Sequence, residues 1–317
     1  MTNTSADLSS RTNGGPTIRC GDAELPLIDV PCYMCGATEG EVQVDDPPFK
    51  VVRCASCSFV YVTPRVPDSH LHLIYQTDYF TSHNAGEFGY SDYTRDKKGY
   101  LKTFRRKAEF VHAHRPSGRV LEIGSAAGFF LFAMRELGYE ANGVEISQYV
   151  VDYARDELNL DGIHHGPLET CPFPKGSYDI VALWDVIEHV PDPIEELKRI
   201  REYLRPDGLL VMQTQNVDAS LAKILGRKWQ HYKQLEHIHH FSPTTMKTAL
   251  DRSGFELMET TTEGAGKYIS VDFFVDRMRR YSRVMHYLLQ PFRIAGRLFF
   301  YINPGDEIIV LARPREG

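Results

Sequence analysis

Four cysteines stand as two pairs, Cys32-Tyr-Met-Cys35 and Cys54-Ala-Ser-Cys57, with 18 residues between them. Each CxxC pair turns into a knuckle that presents two thiolates, and two knuckles complete a tetrahedron around zinc. The competing readings are disulfides, which an unexported chain would not keep, and coincidence, which four correctly paired cysteines disfavour. Sulfur fills every position, so the ion would stabilise rather than catalyse. Cys20 and Cys171 are left over and read as free thiols.

A second pattern is the stretch Arg119–Ser147, in which an apolar run ends at Glu122-Ile-Gly124 and turns through Ser-Ala-Ala to Gly128. Small residues at a strand-to-helix turn let backbone approach a ligand closely. The spacing is GxxxG, not the GxGxxG of a dinucleotide loop, and Glu122 beside it would repel a pyrophosphate. A second acid, Glu145, ends the next apolar run, where a carboxylate accepts both hydroxyls of a ribose. An adenosine carrying a cation and no phosphate fits this pair of acids.

Groups able to take a proton cluster in two places. One is Asp185-Val-Ile-Glu188-His189, and the other is the loop Trp229–Pro243, which holds Glu236 and the histidines 231, 237, 239 and 240. His237, His239 and His240 lack the carboxylate framing of a second metal site, so the plainer reading has one histidine facing the site and the others packed or solvated.

The elements that must position these groups alternate. Strand-like runs cover 119–124, 140–146, 162–166, 178–186 and 208–215, and helical runs cover 129–137, 147–158 and 193–204. Strands separated by helices of this length imply parallel βαβ units and a doubly wound α/β sheet. A further helix starts at Ser242-Pro243 and stops at Gly254, followed by strands at "FELMETTTEG" and 306–314. The expected organisation is a disordered terminus over 1–27, a zinc ribbon over 28–66, a Tyr-rich helical cap over 67–115 and an α/β domain over 116–317.

With "VLEIGSAAG", "GVEIS", "GPLETCPFPKGSYDIVALWDVIEHVPDP" and "LRPDGLLVMQTQN" in hand, the chain from about 107 to 314 resembles the class I S-adenosylmethionine-dependent methyltransferases. The resemblance implies a Rossmann-like seven-stranded sheet and S-adenosylmethionine (SAM) as cofactor. It places Glu122, Gly124 and Gly128 at the methionine part and Glu145 with Ile146 at the ribose. Leu168 and Glu169 then approach the adenine, and Trp184 lies beside the transferring methyl, with packing in the sheet as the alternative. Ala126 departs from the family's usual glycine. The layout also resembles sugar C-methyltransferases and related polysaccharide-pathway enzymes, which join a four-cysteine zinc domain to a transferase and carry a Glu-His pair like Glu236-His237. That resemblance makes His237 the candidate base, with Glu236 and His189 beside it, and a structural role near a lid as the alternative.

An insertion over about 266–304 carries Arg277, Arg279, Arg280, Arg283, Arg293 and Arg297 among Phe, Leu, Met and Tyr. This basic amphipathic composition suits a membrane surface, a helical lid or a dimer face. A net charge of −6 argues against nucleic acid as the main partner. No long apolar run or signal sequence is present, so a cytoplasmic location, at the inner membrane face if the insertion docks there, is expected. The reading that follows is methyl transfer to a small-molecule or lipid-linked glycan of surface-polysaccharide or secondary-metabolite synthesis. Alternatives are O-methylation of a lipid or quinone-like hydroxyl, rRNA methylation, and a cofactor-binding regulator without transfer chemistry.

Overall fold

The computed structural model describes residues 16–20, 23–74 and 96–315. Much of the Tyr-rich segment, 75–95, and the terminus to residue 15 lie outside the described residues.

The central sheet is built from β6 (Arg119–Ile123), β7 (Glu140–Glu145), β8 (Ile163–His165), β9 (Tyr178–Trp184), β10 (Leu204–Gln215), β12 (Phe255–Thr261) and β15 (Glu307–Pro314). Their order is β12-β15-β10-β9-β6-β7-β8. From β8 to β10 all pairings are parallel, and β15 runs antiparallel to both β10 and β12. Every residue of β9, Tyr-Asp-Ile-Val-Ala-Leu-Trp, is buried. A strand covered on both faces can afford no polar alternation, which is why it reads as a near-continuous apolar run.

Helices α2 (Phe129–Glu136), α3 (Gln148–Leu158), α4 (Pro193–Tyr203) and α6 (Pro243–Arg252) cover the sheet. The start of α4 is fixed by Asp192, whose carboxylate accepts from the Glu195 N–H at 2.9 Å, with Pro193 at the first helical position. Ser242 and Thr245 form a reciprocal capping box on α6; such caps are each worth about 1 kcal/mol. Helix α1 (Lys97–His114) packs against α2 and against the insertion.

Residues 17–26 correct the expectation of a disordered stretch to residue 27. They pair as β1 (Thr17–Cys20) and β2 (Ala23–Pro26). Leu25 and Leu27 are buried with Val44, Val51 and Trp229, and that apolar burial orders a polar-looking segment.

The cysteine-bearing part contains β3 (Gly40–Asp46), β4 (Phe49–Cys54) and β5 (Val60–Thr63). Its sheet does not stop at residue 66: β11, the pair His239–His240, adds to β5 through His239↔Tyr61 and His240↔Val60. Cys32, Met34, Cys54, Phe59 and Tyr61 share one core with Ile194, Phe241 and Met246 of the α/β part. The ribbon is therefore built into the wall of the larger unit rather than tethered to it.

The insertion folds as a hairpin, β13 (Lys267–Ser270) with β14 (Phe299–Ile302), enclosing α7 (Val271–Tyr281) and α8 (Arg283–Leu289). No helix among the described residues is long and apolar enough to cross a membrane.

Candidate active site

The order of strands reverses between β6 and β9, and ligands of open α/β sheets bind outside the carboxyl ends of the strands at that point. There β6 delivers Glu122 and the turn 124–128, and β7 delivers Glu145. Gly124 has φ 67°, and a Cβ added to it would lie 2.7 Å from Val186 Cγ2. Ala126 holds φ 45°, a left-handed conformation costing a non-glycine residue roughly 1 kcal/mol. The turn is held by Glu145, whose Oε2 accepts from the Ala126 N–H at 2.8 Å and whose Oε1 accepts from the Ser147 N–H at 2.9 Å. Each oxygen retains a second lone pair, so the carboxylate can still accept a vicinal diol. Burial pushes the Glu145 carboxyl up from its ordinary value. Glu122 is pushed further up, by burial and then by Glu145.

The donor set fits the cationic adenosine ligand. Glu122 Oε2 and Ser125 Oγ are buried without hydrogen-bond partners beside the turn, and unsatisfied buried acceptors of this kind are costly unless a ligand meets them. Ile146, half exposed, and Leu168 with Glu169 line the same cleft further out. Gly128 is the exception among the expected cofactor residues. It lies outside the cleft lining, at the start of α2 with φ 76°, and a Cβ there would meet Leu160 Cδ1 at 2.5 Å, so its task is to let α2 approach the Leu160 side chain.

The other side of the cleft is crowded with charge. Lys107 of α1 is buried, donates to Gln213 Oε1 at 2.8 Å and lies 4.5 Å from the Trp184 ring centroid. Burial pulls its pKa down, against the attraction of Asp185 and Glu307. Lys267 of β13 donates to Glu307 Oε1 at 3.0 Å; burial opposes its charge, but Glu307 and Asp185 outweigh burial and hold its pKa up. His231 Nε2 lies 3.4 Å from Glu307 Oε1, yet burial drives its pKa to about 3, so the ring is neutral and the contact is no ion pair. Trp184 is packed against Phe104 and Phe130 and still lines the cleft, with its Nε1–H unpartnered.

Glu188, His189, Glu236 and His237 meet at the floor of the same cleft. Glu188 is fully buried and accepts from Thr214 Oγ1 at 2.9 Å, while its Oε1 has no partner. The His189 and His237 rings stand edge to face with centroids 4.7 Å apart. His189 Nδ1 donates to the Glu236 carbonyl at 3.0 Å, which leaves Nε2 as the unprotonated nitrogen. Burial first, and then the neighbouring His189, hold the His237 pKa well below its ordinary value. Lys233 Nζ bridges to Glu236 Oε2 at 3.2 Å, so the Glu236 side chain is turned to that lysine. His239 and His240 belong to β11, and their rings are anchored to Pro191 O and Gln215; the His239 N–H donates to the Glu188 carbonyl at 3.2 Å, and the His240 ring lies 6.4 Å from that of His237.

The chain from 119 onward reads as a doubly wound domain, and a methyltransferase-domain family model matches residues 93–260, just over half of the chain. The chain belongs to the class I S-adenosylmethionine-dependent methyltransferases. This methyltransferase is 28% identical to a ubiquinone biosynthesis O-methyltransferase of Xanthomonas campestris pv. campestris over 134 residues, 37% of this chain and 56% of that one. It is likewise 28% identical to a probable S-adenosylmethionine-dependent methyltransferase of Mycolicibacterium smegmatis over 168 residues, 51% of this chain and 63% of that one. It thus spans little more than half the length of these relatives. A Thermotoga maritima SAM-dependent methyltransferase of known structure is 17% identical, with a TM-score of 0.46 over 70% of this chain and 97% of that one.

Membership implies SAM as the cofactor. Residue-by-residue reasoning missed several groups that line this cleft: Lys107, Gln213, Lys267 and Glu307. One of them left a signal, since Lys107 stands at helical spacing among Phe104, Ala108 and Val111, a lysine on the apolar face of α1. Gln213, Lys267 and Glu307 are brought in by strand ends far apart in the chain.

The four cysteines cluster as expected, with no disulfide among them. The Cys32 and Cys57 sulfurs, like those of Cys35 and Cys54, are 3.5 Å apart. Both knuckles close with backbone bonds, Gly36 N–H to Cys32 O at 2.7 Å and Ser58 N–H to Cys54 O at 3.0 Å.

Proposed function

We propose that the chain methylates a hydroxyl in the polar head of a lipid-linked acceptor, such as a lipid-linked glycan, that reaches the cleft from an anionic membrane surface. The supporting observation is the double role of the insertion. Its inner side, through Lys267, Phe273, Arg277 and Phe299, lines the acceptor side of the cleft. Its outer side exposes Val284, Tyr287, Leu288, Phe292, Ile294 and Leu298, with Ile294 at 98% exposure, beside the exposed Arg283 and Arg297. An apolar ridge flanked by arginines matches the chemistry of an anionic bilayer interface, and contiguous exposed apolar patches mark interaction sites. The name of the Xanthomonas relative, an O-methyltransferase, favours oxygen over carbon as acceptor atom.

Glu145 would hold the ribose of SAM, Glu122 and the 124–128 turn its methionine part, and Ile146, Leu168 and Glu169 its adenine. SAM supplies an electrophilic methyl group. The chain has two tasks: to align the acceptor oxygen, and to make it nucleophilic. The Glu188–His189–His237 cluster performs the second, and Lys107 with Lys267 fixes polar groups of the acceptor beside it. Cys32, Cys35, Cys54 and Cys57 would hold a zinc ion. Thiolates about 2.3 Å from a tetrahedral zinc sit about 3.8 Å apart, and the 3.5 Å sulfur spacings fit.

The test is flotation with anionic vesicles. The wild-type chain should float with them, and a variant carrying Leu288→Asp and Ile294→Asp should stay behind; equal flotation of both, or none by wild type, removes the membrane part. A second reading, a free nucleotide sugar as acceptor, is favoured by the zinc knuckles and Glu236-His237 and would show as vesicle-independent turnover.

A further inference from the structure

We propose that Glu188, His189 and His237 form a binding site for one divalent transition-metal ion, which takes the acceptor's oxygen as a further ligand. The inference rests on the methyltransferase reading and assigns how the acceptor is activated. One donor atom from each of the three side chains lies within 4.8 Å of the others. Two donors about 2.1 Å from a shared ion are about 3.4 Å apart in a tetrahedron and about 4.2 Å when opposite, so side-chain rotation alone closes the set. The sequence hid the arrangement because the carboxylate comes from the turn after β9 while His237 comes from the loop before β11, 49 residues later.

Two further observations point to a cation at this place. Glu188 Oε1 and His237 Nδ1 are both buried and both without partners. Glu188 is 0% exposed and His237 6%. Asp185 and Glu307 act on Glu188 as like charges, and the side chain that donates to it is the neutral hydroxyl of Thr214. Lys107, Lys267 and Lys233 are engaged elsewhere, on Gln213, Glu307 and Glu236. A buried carboxylate among carboxylates and neutral imidazoles is costly, and a divalent ion removes that cost. Two imidazoles and one carboxylate are a donor set that suits zinc, cobalt, manganese or ferrous iron and leaves coordination positions open. The His189 Nδ1–H to Glu236 carbonyl bond fixes the tautomer that presents Nε2 to an ion. Bound to the ion, an acceptor hydroxyl loses its proton to solvent more readily, as metal-bound water does. No electron is transferred, and the ion is unchanged after each cycle.

Cobalt(II) titrated into the zinc-loaded full-length chain tests this. One cobalt per chain should bind, with ligand-field absorption in the visible and without a thiolate-to-metal charge-transfer band. Glu188→Gln and His237→Gln should each weaken binding at least tenfold while SAM affinity stays within twofold. No binding beyond exchange into the cysteines, seen as the charge-transfer band, would overturn the inference, as would variants that bind cobalt like wild type. Stoichiometric cobalt without methyl transfer to any lipid would sink the functional reading and leave the metal site standing. Full turnover by wild-type chain holding only its cysteine-bound zinc would do the reverse.

Discussion

Glu145 does two jobs with one carboxylate: it closes the 124–128 turn through the Ala126 N–H and it ends β7 where a ribose would lie. Glu145→Ala removes both, and hydrogen bonds to a charged group are each worth about 1.5 to 3 kcal/mol. SAM affinity should fall on the order of tenfold to a hundredfold by calorimetry, and a change under twofold would show that the ribose lies elsewhere. His237→Ala should abolish turnover, at least a hundredfold, with SAM affinity unchanged; retained turnover would remove the cluster from the chemistry. At this scale the meeting of Glu122, Gly124 and Glu145 was legible, because they lie at the ends of the neighbouring parallel strands β6 and β7 or directly after them. Lys107, which meets Gln213 across 106 residues of sequence, was not, since no local pattern states which strand end a helix will face. The Glu188–His237 meeting was hidden for the same reason.

Among the elements, β9 and β6 carry the site, and Asp179 at the start of β9 ties them to the rest. Its Oδ2 accepts from the Arg119 N–H at 2.8 Å, and its Oδ1 pairs with Arg115 at 3.0 Å and Arg205 at 3.1 Å. Burial opposes ionisation, but the Arg119 N–H and the two guanidiniums outweigh it and hold the pKa below the ordinary carboxylate value. A depressed folded-state pKa means stability that is present above the unfolded value and lost as pH falls through the folded one. Asp179→Asn should therefore lower the melting temperature at pH 7 and lose its difference from wild type towards pH 3; a constant difference would refute the linkage. The alternating strands and helices were plain in the sequence through periodicity. The pairing of β11 with β5 was not, because two histidines in a loop carry no strand pattern and their partner lies 178 residues away.

For the whole molecule, the ribbon and the α/β domain share a core, and β11 links the knuckles directly to the loop bearing His237. Zinc in the cysteines would thus stabilise the acceptor side as well as the ribbon. Cys54→Ser with Cys57→Ser should lower the melting temperature and turnover together, whereas an independent ribbon would unfold alone and leave turnover intact. The outer ridge of the insertion was legible only as composition, Arg among aromatic and aliphatic residues; which side faces water followed from how α7 packs on β13 and α8 on α7.

The most direct test of the account is methyl transfer from labelled SAM into a cell extract separated into lipid and aqueous fractions, run with wild type and His237→Ala. The account predicts label in the lipid fraction with wild type and none with the variant. Label confined to the aqueous fraction, or equal in both proteins, would contradict it.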